Sequence, residues 1–134
     1  MEAKKSDFQF KDPSLESLNF IKNEKFNMEK ENVDMPISLR TTVERTMENM
    51  AMVGVEIIIG NEESPFLLSA LMTATFRWSS TEDDVVDALL HVNAPSLLVS
   101  YLRPVIANVT GASGYPSFNL PYLDMTENEA EDNS

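Results

Sequence analysis

Few side chains in this sequence are of a kind that does chemistry, and their spacing argues against catalysis. His91 is the single histidine in 134 residues, so an acid or base working near neutral pH has one candidate. It falls at the end of a short amphipathic stretch, where an imidazole suits the negative end of a helix. Glu82, Asp83, Asp84 and Asp87 form the densest acidic group. Only Asp83 and Asp87 share a helical face, the spacing is not that of a calcium loop, and acids are common at helix starts, so no metal site is expected. Gly111-Ala112-Ser113-Gly114 follows an apolar helical stretch instead of a strand, which fits neither a phosphate loop nor a nucleophile elbow. Cysteine is absent, which excludes disulfides and thiolate metal sites and permits a reducing compartment. The expectation is a protein without catalytic residues, cofactor or metal.

Binding surfaces therefore carry the functional reading. Ten basic against twenty-two acidic residues give a net charge of −12, which repels phosphate backbones and anionic lipid, so neither nucleic acid nor membrane is an expected partner. The first twenty residues hold two early lysines without a following apolar run, so no secretory signal or membrane insertion is expected, and a cytoplasmic location follows by elimination.

The elements are legible from two periods. Ile37, Leu39, Thr41, Val43 and Met47 alternate with polar residues as a half-buried strand. Ala51, Val53, Val55, Ile57 and Ile59 alternate with Met50, Met52, Glu56 and Ile58, so a second strand is apolar on both faces and belongs inside the sheet. A third runs from Phe66 to Trp78 on one face, after a turn at Gly60, Asn61 and Pro65. Phe8, Phe10, Leu18 and Phe20 mark a weaker strand that Pro13 confines to an edge or a break. Residues 22–34 show neither period and read as a long crossover loop. Thr81 is an N-cap candidate for a short helix with an apolar stripe of Val85, Val86, Leu89 and Leu90. A long helix then runs from Pro95 to about Thr110, with Gly111 as its stop. Strands followed by helices predict an α+β fold, a four-stranded antiparallel sheet with a short and a long helix on one face. Residues 1–7 read as a flexible N-terminus, 8–124 as the domain, and 125–134 as a disordered acidic tail.

The segment from Pro95 to Leu120 also resembles the long helix and following loop of the SecB family of export chaperones, at Pro95, Leu98, Tyr101, Arg103, Ile106, Pro116, Asn119 and Leu120. Glu62-Glu63-Ser64-Pro65-Phe66-Leu67 is similar to the start of the third strand of that family, and Phe8-Gln9-Phe10 to the start of its first. The resemblance implies a dimer or tetramer, with Leu98, Tyr101, Leu102, Val105 and Ile106 at the oligomer interface, and unfolded client polypeptides as partners held in apolar grooves. Such grooves must take many sequences in extended form, which favours adaptable apolar walls. Phe26, Met28, Val33, Met35, Phe66, Phe118, Leu120, Tyr122 and Leu123 are the client-binding candidates.

The sequence departs from the family in two places. The acids with which the family's sheet docks on the SecA motor are replaced by Ser17, Ile21 and Ser69, which puts SecA as a partner in doubt. The usual C-terminal helix is expected to be lacking. Two readings stay open: a holdase that works without ATP and keeps unfolded or pre-secretory chains export-competent, or a dedicated interaction protein, such as a single-client chaperone of an antitoxin or an assembly factor, without a SecA role.

Overall fold

The computed structural model describes residues 2–27, 33, 35–126 and the backbone of 130–132. Four strands, β1 (Gln9–Lys22), β2 (Ile37–Met47), β3 (Met50–Ile59) and β4 (Phe66–Arg77), precede α1 (Asp83–Ala88) and α2 (Ala94–Ala112), and β5 (Ala130–Asp132) comes last. The sheet order is β1-β4-β3-β2-β5. The first four strands pair antiparallel, and β5 adds in parallel to β2. The expected α+β arrangement, an antiparallel sheet with its helices on one face, is the fold observed.

Period two in the sequence becomes one buried face because the register aligns it. Ile57 lies opposite both Leu39 and Ala70, and Val53 opposite both Val43 and Ala74. Ala51, Val53, Val55, Ile57, Ile59 and Leu68 are fully buried, and Phe76 is nearly so. β1 forms the edge as its proline required: the register shifts between Lys11 and Ser14, where Asp12 takes a positive φ beside Pro13. β4 and β3 therefore lie between β1 and β2 in the sheet.

The two helices run into one another. A π turn at Leu89–Asn93 joins them, so the boundary expected near His91 is a widening of one long helix. Val86, Leu90, Ala94, Leu98, Leu102, Ile106 and Thr110 are all buried. A repeat of four slips by about 40° per step on a helix of 3.6 residues per turn, and the wider turn removes part of that slip. Val85, expected in the stripe, is exposed. By length and apolar composition this helix would also satisfy a bilayer crossing, but its apolar stripe is spent on the sheet. Its end also differs from expectation, since Gly111 lies inside α2 and Ser113 caps it, before Gly114 at positive φ.

Two terminal expectations change. Asp7, placed in a flexible N-terminus, accepts hydrogen bonds from the amides of Ser79, Ser80 and Thr81 and from the Ser79 and Thr81 hydroxyls. Thr81 is thus engaged with Asp7, and the cap position of α1 is Glu82. Within the acidic segment expected to lack structure, Ala130–Asp132 pairs with Thr41–Val43.

Candidate functional site

Five of the nine client-binding candidates gather in two places. The first is the corner where β1 ends, the β3–β4 hairpin turns and the chain leaves α2. Asn23 ties this corner together: its amide donates to the Pro65 carbonyl at 2.9 Å, and its side-chain Nδ2 donates to the carbonyls of Glu62 and Ser64. Phe66 is the floor, 4% exposed. Its ring packs on Phe20 at 5.3 Å, on Tyr115 at 6.1 Å and edge-on to Phe118 at 6.2 Å. Tyr115 is fixed from both ends, its hydroxyl donating to the Pro65 carbonyl at 3.3 Å while Lys22 Nζ lies 5.2 Å from its ring centre.

Two open depressions adjoin that floor. One, of about 550 Å³, is walled by Ile21, Leu67 and Phe66 on the apolar side and by Asn23, Lys25 and Glu62 on the polar side. The other, of about 340 Å³, lies between Phe26 and Tyr115, with Lys22 and Glu24 beside them. Ile21 and Leu67 are direct cross-strand partners and are 55% and 42% exposed. Exposed aliphatic side chains on a rigid strand pair bind apolar groups without demanding a particular hydrogen-bonding pattern.

The second place lies along the first half of α2, where Ser96, Val99, Arg103, Tyr122, Leu123 and Met125 enclose about 330 Å³. Arg103 builds it by donating to the carbonyls of Leu120 and Pro121, which draws the segment after the helix back along α2. Phe118 N donates to the buried Thr110 Oγ1 at 2.8 Å, which begins that return. Leu120 and Met125 are buried beneath the segment, whereas Tyr122 is 94% exposed. Asp124, next to the cavity, is held below the usual carboxylate range by hydrogen bonds from the Thr126 hydroxyl and amide.

The structure thus gathers Phe26, Phe66 and Phe118 at the corner, and Tyr122 and Leu123 along α2. Leu120 was expected on a groove wall and is packing instead. Val33 is exposed and Met35 packs against the core just before β2. Met28 lies outside the described residues. Of the expected oligomer-interface residues, Leu98, Leu102 and Ile106 are fully buried in the chain's own core, which leaves Tyr101 and Val105 as the accessible part. Sequence reasoning missed Ile21 and Leu67 as wall residues, because a bulged strand hides which β1 residues share a face with β4. Arg103 carries the family resemblance in the sequence, and its hold on two carbonyls is visible only in the structure.

Asp87 and His91 are engaged in structural contacts. Asp87 pairs with Arg45 at 3.0 Å, and His91 Nδ1 lies 2.8 Å from the Asp87 carbonyl oxygen. Among the described residues no three histidine or acidic side chains converge as metal ligands.

Comparison with known proteins agrees on one family. A family model described as preprotein translocase subunit SecB matches residues 6–127. A protein-export protein SecB of Acidithiobacillus ferrooxidans is 26% identical over 117 residues, covering 85% of this chain and 74% of that protein. The SecB of Anaplasma phagocytophilum is 40% identical over 45 residues, covering 34% of this chain and 28% of its own length. Among solved structures, a SecB-like chaperone of Mycobacterium tuberculosis in complex with a ChAD peptide from the HigA1 antitoxin has a TM-score of 0.70 at 15% identity, covering 87% of this chain and 90% of that one. A Streptococcus agalactiae protein of unknown function has a TM-score of 0.52 at 13% identity, covering 86% and 97%. At these identities the two structures show a shared fold.

Proposed function

The chain belongs to the SecB family, and from that membership we propose that it is a holdase chaperone that binds unfolded or pre-secretory polypeptide and keeps it export-competent. It acts in the cytoplasm, without nucleotide and without covalent chemistry. The observation that supports this reading is the corner at the start of β4, where Ile21 and Leu67 are exposed side by side on the outer face of the sheet and Phe26 lines one depression with Tyr115. Binding there lowers the free concentration of the unfolded client by mass action and needs no energy source. Leu15 and Leu18 on the β1 edge are 40% and 38% exposed, and Tyr101 on α2 is 37% exposed. We assign these residues, with Val105, to contacts between copies in a dimer or tetramer.

One observation favours a narrower role on the same fold. Ser17, Ile21 and Ser69 stand where the family carries SecA-docking acids, and the β1–β4 register puts Ser17 beside Leu71 and Ile21 beside Leu67. A sheet face of that character weakens a contact with SecA and fits a chaperone dedicated to one client, as the M. tuberculosis protein is seen with an antitoxin peptide.

The test is suppression of aggregation of several unrelated denatured proteins at stoichiometric chaperone, with native mass measured in parallel. A general holdase protects most of them, and Phe26→Asp weakens that protection at unchanged native mass. Protection of none, by a particle of native mass, removes the general reading, and protection of a single co-purifying protein selects the dedicated one.

A further inference from the structure

The outer edge of β2 already holds a strand that does not belong to the sheet's antiparallel order. Ala130, Glu131 and Asp132 pair in parallel with Thr41, Thr42 and Val43. We propose that this edge is a strand-acceptor site for extended, non-native polypeptide, and that the chain's own acidic segment occupies it until a client displaces it. The inference rests on the holdase reading and adds a second binding mode to the apolar depressions.

Three features carry it. The edge accepts an extended peptide, since one is seated there. The seat is short: β5 covers three of the eleven residues of β2, so few backbone hydrogen bonds oppose its release, and a longer client segment gains more than the tail loses. The edge also adjoins candidate residues, because Val33 and Met35 shortly precede Ile37 at the start of β2. A client can run along β2 in the direction β5 takes. Recognition through backbone N–H and C=O groups is blind to sequence, which suits a protein that must take many clients. Keeping the edge occupied meanwhile blocks sheet-to-sheet association of the chaperone itself.

The experiment uses the full-length chain and a fluorescently labelled, reduced and alkylated lysozyme as a permanently unfolded client. Proline has no amide proton and cannot join a ladder, so Ala130→Pro and Glu131→Pro each weaken the pairing, and Glu131→Gln controls for charge. Amide hydrogen exchange at Thr41–Val43 should accelerate in at least one proline variant, and adding client should restore protection there. Client affinity should rise about fivefold in that variant and stay within about twofold of wild type for Glu131→Gln. Unchanged exchange at Thr41–Val43 in both proline variants overturns the proposal. So does faster exchange without a gain in affinity, in which case β5 only guards the edge, and so does an equal gain in Glu131→Gln, which makes the effect electrostatic. If no variant and no wild-type protein binds the client, the holdase reading fails together with this one; binding that ignores β5 leaves the holdase reading intact.

Discussion

Asp7 and Thr81 meet across 74 residues of sequence: the carboxylate accepts both the Thr81 amide, at 2.9 Å, and the Thr81 hydroxyl, at 2.7 Å. With Ser79 and Ser80 donating to the same side chain, the start of the chain is pinned to the entrance of α1, beside the stack of Phe8 on Phe76 and Trp78. Hydrogen bonds from Ser79 and Thr81, then from the backbone, hold the Asp7 carboxyl well below the ordinary aspartate range. A carboxylate with a lowered folded pKa stabilises the protein above its unfolded pKa of about 4, and that contribution is lost as pH falls through the folded value. Asp7→Asn should therefore lower the thermal midpoint at pH 7, and its difference from wild type should shrink below about pH 4. A difference that stays constant from pH 7 to pH 2.5 would show that the carboxylate is not the group at work.

Gly60 closes the β3–β4 hairpin beneath the aromatic floor. Its φ is +98°, and a β-carbon there would stand 2.2 Å from the Phe66 carbonyl oxygen. Both the backbone strain and the clash act in Gly60→Ala, for a cost of roughly 2–4 kcal/mol. Urea unfolding should show a lowered midpoint with an unchanged slope, and because the backbone of Phe66 must shift, client affinity should fall with it.

The sheet was legible because its alternation is strict where it matters: Ala51 to Ile59 and Phe66 to Phe76 are buried on the face their spacing named. The helix was legible as an apolar run, but its internal boundary was not. His91 to Asn93 reads as a break, yet the π turn there continues the helix because Leu90 and Ala94 both still reach the sheet. Half of the candidate site could be read from composition, since Phe26, Phe66 and Phe118 are large and lie at element ends. The rest depended on partners distant in sequence. Ile21 becomes a wall through its pairing with Leu67, and Leu120 is buried where Arg103 holds its carbonyl.

Arg103 fixes the segment after α2 by a forked contact, with Leu120 and Pro121 carbonyls as acceptors. Removing it in Arg103→Ala leaves two carbonyls to water and costs about 2–3 kcal/mol. Arg103→Lys keeps the charge but not the fork, and should recover only part of that loss. The readout that separates a clamp from mere stability is chymotryptic cleavage at Tyr122 and Leu123, which should accelerate in both variants under conditions where the sheet stays folded. Equal cleavage rates in wild type and Arg103→Ala would remove the clamp.

Leu98 and Tyr101 lie three residues apart on α2 and face opposite fates. Leu98 is fully buried against the sheet, while Tyr101 is 37% exposed and meets Phe10 edge to face at 6.1 Å. A charge at the first position has no partner and no water, so Leu98→Asp should cost about 3–5 kcal/mol and leave little folded protein. A charge at the second position is solvated in a lone subunit and is buried only if another copy covers it. Tyr101→Asp should accordingly keep its far-UV circular dichroism and its urea slope while its native mass falls towards that of a single chain. Unchanged mass in Tyr101→Asp would move the contact between copies off α2 and onto the β1 edge, where Leu15→Asp and Leu18→Asp would then be the variants that dissociate the assembly.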